Sequence, residues 1–488
     1  MLIFRSRLHY YFFSFICVCA CFHAYANETE KKQLLFYVNQ YHQNVQDHKF
    51  EDAAIEAKNA YELSQKVYNP SDKKHLIISE EYALILLQIE KYQQAIDVLQ
   101  IILNTLETEY SRHDKQLLPI LGDLKMATKK YHPELYKQYS THYTQLYLRY
   151  NSHKYVDSYI KNELNSTQQA INLANKLSDI TQKKYKIYNA GQWDLIYNEG
   201  SDFNFNALIK QMDKGYRSAL GFLISFNVLA KPPEDKLRAV FFSSREDYQA
   251  YLLYQKSHNA TTAAHLSSGL YAKHLNTLFL FDAQFKNNKK NKFRVLSTLR
   301  HEIAHQLFFN LGLQSRAKHI EYPRWLTEGL ATSLEFYNVR KISGPQTQNF
   351  SFFKLKKIKE KFQEGKLTPI SELVSISAGS EGLAGKNTPN IYFLGGFLVK
   401  FLYEKYPDEL RKYIRYLTKT PKNKLSRRAS VFYRHFGDRE SLQTEFDAYL
   451  TTLMTYMDTK RAKFKKKANM VSYNSREAVY YTLNSLSK

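Results

Sequence analysis

Within residues 31–185 there is one glycine, Gly122, and apolar residues recur at three- and four-residue spacing throughout. That pattern admits helices and little else. The same stretch repeats itself at an offset of 42 residues: Lys49-Phe50 returns as Lys91-Tyr92, Ala53 as Ala95, Asp72-Lys73 as Asp114-Lys115 and Leu76 as Leu118. A self-similar period of this length describes stacked helix pairs, in which small alanines let one helix approach the next and an aromatic residue at the start of the second helix fills the remaining gap.

The segments KFEDAAIEAKNAYELSQKVY and KYQQAIDVLQIILNTLETEY resemble second helices of tetratricopeptide repeats, in the longer version familiar from kinesin light chain, over roughly residues 33–130. The resemblance implies a TPR-like repeat domain, assigned to residues 27–185, whose concave face could dock a protein partner. A helical spacer without a ligand fits the same pattern, and both readings stay open.

Before the repeats lies MLIFRSRLHYYFFSFICVCACFHAYA, with Arg5 and Arg7 ahead of an apolar run and Ala24-Tyr25-Ala26 as a small-x-small cleavage site. Residues 1–26 therefore read as a signal peptide, and the chain as exported, periplasmic or extracellular. Cys17, Cys19 and Cys21, the three cysteines of the chain, all fall inside that segment. A mature chain from Asn27 would then depend on packing and metal instead of disulfides. Val18-Cys19-Ala20-Cys21 also loosely matches a lipobox, which leaves lipidation at Cys21 as an alternative. The formal charge is +24, but the lysines are spread among Asp and Glu without a nucleic-acid motif, so a solvated basic surface is favoured over a nucleic-acid partner.

After residue 186 the pattern changes. QWDLIYNE (192–199), KLRAVFFSS (236–244) and NTLFLFD (276–282) read as strands, with a helical segment at about 204–228 and the breaker Lys231-Pro232-Pro233 between the first two. Strands followed by helices predict an α+β domain, placed at 186–458. In the helix that follows the third strand, which should stop near Asn310-Leu311-Gly312, stands His301-Glu302-Ile303-Ala304-His305. Positions i and i+4 lie about 40° apart on a helix, so His301 and His305 could grip one metal ion, with Glu302 beside it to take a proton from a water whose acidity the metal raises. By itself the pattern more often marks a helix with two ordinary histidines, and the rest of the chain must decide.

A catalytic zinc takes three protein ligands. A third histidine six residues on, with a midway glycine, is excluded by Leu311 and Phe308. The segment YPRWLTEGLATSLEFY (322–337) offers a second helix, with Pro323 suited to its start, Glu328 placed 23 residues after His305, and Gly329 expected to let it pack closely on the first helix at the metal. Glu321 and Glu335 are alternatives. Glu335 stands about 10 Å beyond Glu328 along the axis, so at most one of the two binds the metal. HExxH followed by Trp325-Leu326-Thr327-Glu328-Gly329 resembles the gluzincin peptidases, above all the W-L-x-E-G helix of the aminopeptidase N family. Residues 190–455, with SSGLYAKHLNTLFLFD and YFLGGFLVKFLYEKYP, resemble the peptidase MA-like domains of exported bacterial proteins. The resemblance implies a thermolysin-like fold, Zn2+ as cofactor and Glu328 as the third ligand.

It also implies an oxyanion donor, a tyrosine in Y-x-x-G opening a later helix. Tyr392-Phe393-Leu394-Gly395 fits, 64 residues after Glu328. His265, His274 and His319 have no such spacing and read as surface residues. The aminopeptidases carry a glutamate on the upstream edge strand that holds a free amino terminus, whereas no acidic residue lies between Tyr248 and Phe281. An endopeptidase acting on peptide or protein substrate is therefore expected, with a binding scaffold carrying an idle or autolytic zinc domain as the alternative. The tail, residues 459–488, carries six Lys/Arg in eight from Lys460, KRAKFKKK, either a solvated helix end or a peripheral membrane contact.

Overall fold

The computed structural model of the 488-residue chain describes residues 28–160, 164, 168–200, 205–228, 230–233, 235–254, 269–281, 289–317, 320–335, 352–376, 390–420 and 428–471. Residues 1–27, with the expected signal segment and Cys17, Cys19 and Cys21, together with His265, His319 and the last 17 residues, lie outside them. The chain forms two compact units, residues 1–146 and 147–488.

The first unit is helical: α1 (Glu28–Gln46), α2 (Phe50–Val67), α3 (Lys73–Gln88), α4 (Tyr92–Tyr110), α5 (Leu118–Thr128) and the start of α6 (Pro133–Asn151). The 42-residue period recurs in the backbone itself. His48 and Glu90 both adopt a left-handed conformation, and the following amides close the same wide turn, Lys49 N onto Asn44 O and Lys91 N onto Leu86 O, each at 2.8 Å. This end motif satisfies carbonyls that a helix terminus would leave unpaired. Ala53 and Ala95 are wholly buried at the matching contacts. Asp72 accepts a hydrogen bond from Lys74 N at the head of α3, and Asp114 does the same for Gln116 N one period later.

The second unit starts with the end of α6. The sequence-based boundary at 185/186 falls inside it, because Leu148 and Val156 already join its core and Arg149 donates to Tyr403 O at 2.8 Å. Helix α7 (Gln168–Thr181) leads to β1 (Tyr185–Ala190) and β2 (Trp193–Asn198), then α8 (Phe205–Ser225), β3 (Leu237–Phe242), α9 (Arg245–Tyr254), β4 (Gly269–Ala272) and β5 (Thr277–Phe281). The sheet order is β1-β2-β3-β5-β4. The three central strands are parallel, and β1 and β4 flank them antiparallel. Strand alternation sorts the core: Leu195, Ala239, Phe241, Leu278 and Leu280 face α8 and the later helices. Ile196, Val240, Phe242 and Phe279 face α7 and α9. A sheet buried on both faces needs such continuous apolar strands, which is why LRAVFF carries no exposed residue.

Helices complete the unit: α10 (Lys289–Asn310), α11 (Arg324–Leu334), α12 (Phe352–Gln363), the short α13 (Ile370–Leu373), α14 (Gly395–Lys405), α15 (Pro407–Lys419), α16 (Arg428–Phe436) and α17 (Arg439–Val471). Gly312, at φ 97°, follows α10 as expected of a helix stop. The basic run from Lys460 is helical as far as Val471. The α+β layout expected from the sequence is present, and no described helix is long and apolar enough to cross a membrane.

One buried acid should make the first unit sensitive to alkali. Burial, helped by the neighbouring Glu80 charge, pushes the Glu81 carboxyl up to about 8. His42 Nε2 is 3.8 Å away, and burial lowers the pKa of that imidazole; the buried Tyr41 phenol also feels the Glu81 charge. Since the folded state prefers the protonated acid, the stability this preference contributes is complete below the unfolded carboxyl pKa and is lost as pH rises through about 8. Hydrogen-exchange protection factors of α3 in the full chain should therefore fall between about pH 6 and about pH 9. Glu81→Gln should flatten that dependence, and an unchanged slope in the variant would assign it to other groups.

Candidate metal centre

The orientation of α10 is set by Gln306, which is fully buried. Its Oε1 accepts from Trp193 Nε1 at 2.9 Å, and its Nε2 donates to Arg238 O at 2.9 Å and Asn276 O at 3.3 Å, so one amide ties the helix to three strands or their ends. On the opposite flank, Ile303 lies against Gly215 of α8, where a Cβ would come within 3.0 Å of the isoleucine. With the helix clamped, geometry assigns the remaining faces. Glu302, one turn before Gln306, also looks toward the sheet and accepts from Tyr271 N on the edge strand β4 at 2.9 Å. His301 and His305 look toward α11.

Glu328 of α11 meets them. Its Oε2 lies 3.0 Å from His301 Nε2 and 3.3 Å from His305 Nε2, and the two Nε2 atoms are 3.2 Å apart. Ligands at 2.0–2.1 Å from one tetrahedral ion have edges of roughly 3.3 Å, so this triangle has the right size as well as the right donors. His301, His305 and Glu328 could thus hold a metal ion, and no other such group occurs among the described residues. The glutamate alternatives separate clearly. Glu335 sits at the end of α11 and accepts from the other ring nitrogen of His301, Nδ1, at 3.0 Å.

That second carboxylate is itself held. Lys354 Nζ of α12 donates to Glu335 Oε1 at 2.7 Å, and Arg300 Nη1 donates to its backbone oxygen at 3.2 Å. A carboxylate on the far nitrogen fixes both the tautomer and the ring plane of a ligating histidine. Burial by itself would depress His301, yet the carboxylates of Glu328 and Glu335 outweigh it and carry the imidazole up to about 10. Glu328 is held well below the usual carboxylate range, because His305 and His301 overcome the opposing effect of burial.

Residues 295–423 match the model of a family described as "Protein of unknown function (DUF1570)". The matched stretch contains His301, Glu302, His305, Glu328, Glu335 and Tyr392. No curated protein matches the chain.

Tyr392 joins the same site. It lies in a π-helical turn, Asn390–Leu394, that leads into α14, a wider turn than the plain helix start expected for Y-x-x-G. Its ring is 5.8 Å from that of His301. Burial and the Glu328 charge raise the pKa of its hydroxyl, so it stays a neutral donor. Gly329 has a different role from the one expected: it packs on α14, where an added Cβ would sit 2.5 Å from Gly395 O, and not on α10. Gly395 and Gly396 return the contact against Trp325 and Thr332. This glycine-lined approach brings Glu328 and Tyr392 to one place. His274 is exposed, as expected.

The sequence reading missed Tyr271, Lys354 and the orienting role of Glu335. Only Glu335 had a sequence signal, its place two turns past Glu328 on one face. Two outcomes test the arrangement. Glu335→Ala should weaken metal affinity by about ten- to a hundredfold in competition with a chromogenic chelator; unaltered affinity would deny it any hold on His301. Gly329→Ala should lower stability in a denaturant titration by about 1–3 kcal/mol, because the new methyl meets backbone. A change inside experimental error would show slack between α11 and α14.

Proposed function

We propose that this chain is an exported zinc-dependent peptidase of the gluzincin type, cleaving within peptide or protein chains. The observation that carries the proposal is the convergence of His301, His305 and Glu328 on one point, with Glu302 one residue from the first ligand and Tyr392 over the cluster. When bound, zinc would supply Lewis acidity, polarising a water and the scissile carbonyl.

The chain's own residues account for the rest. Glu302 is anchored through one oxygen by Tyr271 N, which fixes its carboxylate at the edge of the sheet beside the ligands. From there it accepts a proton from the attacking water and returns it to the amide nitrogen as the C–N bond breaks. Tyr392 donates to the carbonyl oxygen as that atom gains negative charge. Among the described residues β4 pairs with β5 alone and stands at the edge of the sheet; its Tyr271 N is taken by Glu302, and its remaining outward backbone groups could pair with an extended substrate. Nothing acidic stands on β4, Gly269–Ala272, to take a free amino terminus, which favours internal cleavage.

The first unit, with its repeated caps, supports a second reading for that region alone, a docking surface for a partner or for the substrate itself. If that were the whole function, proteolysis would be absent.

Glu302→Gln decides between them. The variant should keep about one zinc per chain and lose most hydrolysis of a denatured-proteome mixture, on the order of a hundredfold or more. Wild-type protein that carries zinc and releases no new N-termini relative to Glu302→Gln in cells would leave the scaffold reading standing.

A further inference from the structure

Arg324 opens α11 one helical turn before Glu328, so the two side chains leave the same face about 6 Å apart. Its guanidinium carbon lies 6.0 Å from the centre of the Tyr392 ring, and the group is within side-chain hydrogen-bonding reach of the phenol hydroxyl. The ring of His301 stands 5.8 Å from the same phenol. Tyr392 thus has both the Arg324 guanidinium and the His301 ring close to its own ring, and Arg324 lies on the helix that the Gly329 contact holds against α14.

A hydroxyl in that position has two uses for its proton. Left alone beside the Glu328 carboxylate, it would donate to that charge and be lost to substrate. A guanidinium donating to the phenol oxygen occupies a lone pair, turns the O–H outward and makes it a stronger donor. Resting on the function proposed above, we infer that Arg324 is a positioning residue for Tyr392, holding the phenol so that its O–H points to the carbonyl oxygen of the scissile peptide. Lysine at this place keeps the charge and loses the planar fork, so it replaces the function only in part.

The test reads the tyrosine directly. Fluorotyrosine is placed at position 392 of the full chain, and its fluorine resonance is followed in wild type, Arg324→Met and Arg324→Lys. Arg324→Met should shift and broaden the signal, and Arg324→Lys should fall between the other two. A resonance that does not move in Arg324→Met overturns the inference, and should that variant fail to fold, an unmoved resonance in Arg324→Lys does so. Neither reading depends on turnover, so failure of the peptidase proposal and failure of this one remain separate. Where hydrolysis of denatured casein is measurable, Arg324→Met should lower kcat by roughly ten- to a hundredfold with KM little changed. In a Tyr392→Phe background the same substitution should add almost nothing. An equal loss in that background would mean that Arg324 acts without Tyr392, which also overturns the inference.

Discussion

The centre depends on a close helix contact. At Gly329 the backbone of α11 approaches that of α14 so tightly that a methyl group would lie 2.5 Å from Gly395 O. Helix axes normally stay 8–10 Å apart because side chains hold them there. Removing the side chains at Gly329, Gly395 and Gly396 lets the backbones touch, and every functional group on either helix moves inward with them. Glu328 precedes Gly329 by one residue and Tyr392 precedes Gly395 by three, so the contact places a carboxylate and a phenol together over α10. A similar device acts at Gly215, which admits Ile303 and seats α10 on α8.

Charge is then gathered where water is scarce. Two carboxylates, Glu328 and Glu335, approach the two ring nitrogens of His301, and Lys354 closes the chain on the outer carboxylate. Unpaired, any of these charges would be costly in the interior; arranged donor to acceptor, they fix each other's position. The same pairing that satisfies burial brings Nε2 of both histidines and one glutamate oxygen to a common centre that could hold a metal ion. Glu302 is held separately, by a backbone amide of the edge strand, which keeps its carboxylate beside the ligand set without becoming part of it. Arg324 adds a cation beside the Tyr392 ring.

The first unit is built by repetition instead. Left-handed residues, closing amides and capping aspartates return after 42 residues, so each hairpin is a copy of a local solution, and its contacts lie mainly with sequence neighbours. A unit of this kind is readable from sequence because its period is its structure. The mixed sheet is less so. Central strands β2, β3 and β5 announced themselves as apolar runs, while β1, YKIYNA, is buried only at its two ends and the edge strand β4 is only GLYA. A strand of four residues has too little pattern to stand out, and it exists because β5 supplies its hydrogen bonds.

What the sequence determined by itself was chemistry with a short range. The spacing of His301 and His305 puts two nitrogens on one helical face whatever surrounds the helix, and Asp72 or Gly312 acts within a turn of its own position. Glu328 could be named only by likeness to a known helix, because spacing alone left Glu321 and Glu335 beside it. Tertiary structure decided the rest: that Glu335 reaches His301 from the opposite nitrogen, that Lys354 joins it, that Tyr271 holds Glu302 through its amide, and that Gly329 faces α14. Each of these contacts joins residues far apart in the chain, and their geometry follows from how whole helices and strands pack, a property that no local pattern contains.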